Sequence, residues 1–211
     1  MVNSRLCLLG VKIMVAAMLA QNCWIPAALS QIATKRSDDP AWDQQQLQKL
    51  TNGFGFTEGP ALNDRGTVFF TDMTRNLILA VDSGGKLWQI SEDSGGANGL
   101  AFDLKHRLLA CQQSNNRVVR YEDDGTVTVL ADSFEGKKLN NPNDLCVAPD
   151  GSVFFTDPSF GGSRYQPVCG VYRIAPDGKI ERVLSDLLSP NGIALNPDGR
   201  ILYAGDTATG V

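Results

Sequence analysis

From Glu58 onward the chain is built of short apolar runs separated by Asp-Gly, Gly-Gly and Pro-Asp-Gly turns, with no 3.6-residue periodicity. Runs of this length bounded by turn residues predict β-strands, and the glycines supply the backbone angles of tight hairpins. The runs also recur as a unit. The stretch from Glu58 to Asp72 aligns with stretches opening at Asn98, Asn143 and Asn191, at intervals of 40, 45 and 48 residues. Each unit begins with a polar residue and a short strand, turns, and continues into a second apolar strand. Third strands are expected at 77–81, 117–121 and 170–174, and fourth strands at 86–90, 127–130 and 180–184. Four antiparallel strands in 40–48 residues make the pattern of a β-propeller blade. The all-β chain then holds three full blades and half of a fourth, about three and a half in all. The run 50–56 is expected to be the outer strand that closes the ring.

The first thirty residues break this pattern. They carry two bases, Arg5 and Lys12, and no acid, then an apolar run from Ile13 to Ala20 and small residues ending at Ser30. That is the layout of an export signal, so residues 1–30 are read as a signal peptide with cleavage near Gln31. The expected mature protein is secreted or periplasmic, without stable membrane insertion. Residues 31–46, rich in Gln, Asp and Ser, read as a leader, and 47–211 as an incomplete propeller domain.

Composition narrows the chemistry. Of 211 residues, 19 are Lys or Arg and 23 Asp or Glu, a net charge of −4, so no basic excess exists to bind nucleic acid. One histidine excludes a multi-histidine zinc site. Removing the signal leaves Cys111, Cys146 and Cys169, an odd number that implies no disulfide framework. His106 aligns with the Pro-Asp-Gly turns and reads as a turn residue. Asp72 and Asp157 share one repeat position, which fits a structural hydrogen bond better than a single catalytic role.

The polar residue opening each repeat is different in kind. First strands of propeller blades line the central channel, so Glu58, Asn98, Asn143 and Asn191 are expected to converge on one axis. One carboxylate and three carboxamides are oxygen donors, suited to a hard cation such as Ca²⁺. The competing reading is that these Asn side chains only bond turn backbone.

Phe56-Thr57-Glu58-Gly59-Pro60, Asn140-Asn141-Pro142-Asn143-Asp144-Leu145 and Ser189-Pro190-Asn191-Gly192-Ile193-Ala194 resemble blocks of the gluconolactonase and senescence marker protein 30 family, over about residues 47–211. The resemblance implies a six-bladed propeller with a divalent metal, usually Ca²⁺, in the channel. It implies Glu58, Asn143 and Asn191 as metal ligands, with a catalytic Asp expected beyond Val211 and therefore not identifiable here. Asn98 and Asn141 fall at positions expected to contact substrate, each also readable as a loop-bonding residue. Arg164 and Tyr165, in a longer insertion from Ser159 to Pro167, are further candidates for substrate contact. The implied activity is metal-dependent hydrolysis of sugar lactones such as gluconolactone, with loss of activity in this shorter chain an open outcome. The alternative is a non-catalytic propeller used for binding.

Overall fold

The computed structural model describes residues 49–160 and 164–209, together with two strands near the N-terminus, β1 (Cys7–Leu8) and β2 (Val11–Ala16). Three four-stranded antiparallel sheets follow one another, each a simple up-and-down meander. The first contains β3 (Thr57–Leu62), β4 (Val68–Asp72), β5 (Leu77–Val81) and β6 (Leu87–Ser91). The second contains β7 (Ala97–Phe102), β8 (Leu108–Gln112), β9 (Arg117–Tyr121) and β10 (Val127–Ala131). A small hairpin, β11 (Ser133–Phe134) with β12 (Lys137–Lys138), precedes the third sheet of β13 (Leu145–Val147), β14 (Val153–Asp157), β15 (Gly170–Ile174) and β16 (Ile180–Leu184).

The hairpin β17 (Pro190–Leu195) and β18 (Ile201–Asp206) begins the fourth unit, and β2 runs parallel to β18 with β1 at the edge. The other described pairings are antiparallel. Outside these two strands, the segment read as signal and leader lies beyond the described residues. The run 50–56 forms no strand. Instead Phe54 packs edge-to-face on Phe70 at 5.0 Å, and Gly55 N–H and Phe56 N–H donate to the Asp72 carboxylate at 2.9 and 3.3 Å. The two glycines at 53 and 55 and the contacts to Asp72 favour a folded loop over an extended strand.

The sheets stack face to face, which explains why their middle strands are apolar on both sides. All five residues of β8 and all five of β14 are buried, whereas the outer strand β10 alternates exposed and half-buried positions up to its last residue, the buried Ala131. Ala61 and Ile78 of the first sheet pack with Leu108, Ala110 and Val119 of the second. Leu109, Cys111 and Val118 pack with Phe155, Tyr172 and Ile174 of the third. Phe154 and Val171 pack with Ile193, Leu202 and Ala204 of the fourth unit. This is propeller architecture: each blade buries its faces against the next.

Candidate metal-binding channel

The inner strands β3, β7 and β17 each carry a register shift at the polar position that opens the repeat: between Glu58 and Ala61, Ala97 and Leu100, and Pro190 and Ile193. A bulge bends the strand and re-aims the side chains at that position. Glycine makes the close approach feasible. Gly59 has φ 51°, and a Cβ there would collide with the carbonyl oxygen of Asn98. A Cβ at Gly99 would lie 2.5 Å from Asp144 Oδ1 and 2.7 Å from the Asn143 carbonyl oxygen.

Neighbouring inner strands are pinned in turn. The Thr71 hydroxyl, on β4, lies within donating distance of the carbonyls of Glu58 (3.2 Å) and Asn98 (3.1 Å). Gly99 N–H donates to the Asn143 carbonyl at 2.7 Å. Ile193 N–H donates to Asp144 Oδ2 at 3.1 Å. The segments bearing Glu58, Asn98, Asn143 and Asn191 are thereby drawn into one row of adjacent inner strands.

Their side chains differ in commitment. Asn143 is buried, 3% exposed, and its Oδ1 is a buried oxygen with no hydrogen-bond partner. Buried acceptors are almost always satisfied, so this oxygen is suited to a cation or ordered water. Among the described residues the half-buried Glu58 and Asn191 make no side-chain hydrogen bond, leaving their oxygens available. Carboxylate and carboxamide oxygens are hard donors of the kind that a divalent cation such as Ca²⁺ takes. No cluster of three or more His, Cys, Asp or Glu is present among the described residues, so a site here draws on Asn.

Asn98 is buried, and its amide donates to Gln113 Oε1 at 3.0 Å. Asn141 bridges two loops: its amide lies 3.5 Å from the Gln113 carbonyl, and its Oδ1 accepts Phe160 N–H at 3.4 Å. The neighbouring Asn140 is fully buried and accepts Tyr165 and Gln166 N–H, both at 2.9 Å, which ties the insertion to the inner strand. Tyr165 is exposed and Arg164 Nη2 lies 3.7 Å from Cys169 Sγ. His106 sits in an exposed turn at φ 62°. Cys111 and Cys169 are buried, and Cys146 is half-buried.

Two features were not anticipated from the sequence. Asp144 is held above the usual carboxylate range by burial, against the N–H groups of Ile193 and Leu145 that pull it down, with the Glu58 charge adding to the rise. Thr71 and Thr156 occupy one repeat position and each bonds the inner strand of its blade. The sequence signal was present: Thr-Asp closes both copies of Val-Phe-Phe-Thr-Asp.

A propeller with oxygen-bearing side chains along its inner strands defines the class. Residues 56–211 match the family model described as SMP-30/Gluconolactonase/LRE-like region, and the chain belongs to that family. It is 37% identical over 121 residues to a gluconolactonase of Zymomonas mobilis, covering 53% of this chain and 34% of that protein. It is 35% identical over 165 residues to a lactonase drp35 of Staphylococcus epidermidis, covering 72% and 48%. Among solved structures, a gluconolactonase from Xanthomonas campestris superposes with a TM-score of 0.71 at 32% identity, covering 75% of this chain and 57% of that one. A putative gluconolactonase gives 0.70 at 38%, covering 76% and 59%. The chain spans about a third to three fifths of the length of these relatives.

Proposed function

We propose that this chain belongs to a calcium-dependent lactone hydrolase of six-bladed propeller fold, acting on sugar lactones such as gluconolactone. Glu58, Asn143 and Asn191 are the protein's ligands to the cation, and the unpartnered Asn143 Oδ1 is the observation that carries the reading. A cation held by these three side chains would supply Lewis-acid polarisation of a lactone carbonyl. Glu58 supplies the negative charge of this set and is assigned to the cation, because a metal-bound carboxylate has its lone pairs engaged. Asn98 and Asn141 line the same inner surface. Asn98, steadied by Gln113, presents its carboxamide to substrate hydroxyls, while Asn141 couples the inner strand to the insertion.

Export places the enzyme outside the cytoplasm, with residues 1–30 removed; N-terminal sequencing of the exported protein should begin near Gln31. The activity test is acid release from gluconolactone by the full chain with calcium, repeated after chelation. Calcium-dependent release supports the hydrolase. Sugar binding without acid release in the presence of bound calcium supports the alternative, a non-catalytic binding module.

A further inference from the structure

We infer that Asp144 is a positioning residue for the channel cation, holding Asn143 and Asn191 at a fixed separation. The inference rests on the proposed metal site. The second ring position of the repeat is Gly59, Gly99 and Gly192 in three units but Asp144 in the third. Both carboxylate oxygens are used. Oδ1 accepts Leu145 N–H at 2.9 Å within its own blade, and Oδ2 accepts Ile193 N–H at 3.1 Å from the next blade, 49 residues away. Ile193 lies two residues after Asn191, at the end of the bulge that carries it.

The anchor itself is rigid. Asp144 N–H donates to Thr156 Oγ1 at 3.1 Å, and Thr156 N–H returns a bond to the Asp144 carbonyl at 3.0 Å. Asn143, one residue before, is tied to the second blade through Gly99 N–H at 2.7 Å. The carboxylate therefore does between the third and fourth blades what a main-chain hydrogen bond does between the second and third. The missing side chain of Gly99 leaves the room that Asp144 occupies. A carboxylate spending both oxygens on backbone N–H groups orients its neighbours rather than coordinating directly, the usual arrangement around metal ligands.

The test measures calcium affinity by titration calorimetry on the full chain, its Asp144→Gly and Asp144→Asn variants, Glu58→Gln and a stability control, Leu202→Ala. Amide exchange at Ile193 is followed in parallel. Asp144→Gly restores the residue of the other repeats and should weaken calcium binding about 10–100-fold. Asp144→Asn, which keeps one acceptor oxygen, should fall between it and the native chain, and Ile193 N–H should exchange faster in both. Leu202→Ala truncates a fully buried side chain in the β17–β18 hairpin and should lower the melting temperature while changing affinity far less. Unchanged affinity in both Asp144 variants, alongside a loss in Glu58→Gln, overturns the positioning role and leaves the metal site standing. Equal affinity in the native chain and Glu58→Gln, or no calcium binding by the native chain, overturns the metal site and this inference with it.

Discussion

The pentapeptide Val-Phe-Phe-Thr-Asp occurs twice, as β4 in the first sheet and β14 in the third, and folds into the same strand both times. Its surroundings differ. In β14 all five residues are buried, because blades pack on both faces; Phe155 is fully buried and stacks on Tyr172 at 5.4 Å. In β4 the first two residues are only half-buried, and Phe70 meets Phe54 of the preceding loop along an open groove that Glu58 also borders.

The terminal aspartates diverge further. Burial raises Asp72, but N–H groups from Gly55, Phe56 and Arg75 and the nearby Arg75 guanidinium outweigh it, and its carboxyl sits below the usual range. Burial also raises Asp157, with N–H bonds from Asn140 and Asn141 opposing; one oxygen is unpartnered, and its carboxyl is pushed up to about 7. An identical sequence thus gives a carboxyl held low by its hydrogen bonds in one blade and one pushed up by burial in another. Backbone conformation follows local sequence, while electrostatics follows the neighbouring blade.

The comparison is broken most strongly by removing the rings. Phe155→Ala should cost about 3–5 kcal/mol, the range for emptying a fully enclosed aromatic site, and Phe70→Ala clearly less, because its pocket is already open on one side. Denaturant unfolding of the two variants measures the difference; equal losses would mean the first blade is as enclosed as the third.

The aspartates should separate by pH. A carboxyl raised in the folded state binds protons that the unfolded chain has released, so Asp157 makes stability fall as pH rises from about 4 to about 7, by up to ~4 kcal/mol. Asp157→Asn should flatten that slope. Asp72, lowered in the folded state, contributes stability above the unfolded value that is lost as pH falls through the folded one. Asp72→Asn should therefore cost about 1.5–3 kcal/mol at neutral pH, where two backbone N–H groups lose a charged acceptor. Melting curves between pH 4 and 8 read the Asp157 slope, and curves carried below pH 4 read the opposite sign at Asp72. The smallest contrast is at the threonines: Thr71→Val and Thr156→Val should each cost about 1 kcal/mol. Thr71→Val should also loosen the link between Glu58 and Asn98, seen as faster amide exchange along β7.

Much of this was legible beforehand. The third strands at Leu77–Val81, Arg117–Tyr121 and Gly170–Ile174 fall where the repeat predicts, because hairpin turns punctuate them on both sides. The inner-strand row of Glu58, Asn98, Asn143 and Asn191 was readable for the same reason. The run 50–56 was misread as a strand because its partner in that role is Asp72, whose pull on Gly55 and Phe56 N–H leaves no mark in hydropathy. Asp144 was missed because it acts on a backbone group 49 residues away and, beside Asn143, looks like one more turn residue. Gln113 as the partner of Asn98 belongs to the short helical turn after β8, which repeat alignment does not weigh.

The central claim is that a divalent cation sits on the channel axis against the orphaned Asn143 oxygen. A crystal structure of the full chain grown with calcium tests it most directly. The account predicts a strong peak about 2.3–2.6 Å from Asn143 Oδ1 and from oxygens of Glu58 and Asn191. A calcium-soaked channel in which Asn143 Oδ1 instead accepts a hydrogen bond from a protein group, with no peak beside Glu58, would contradict it.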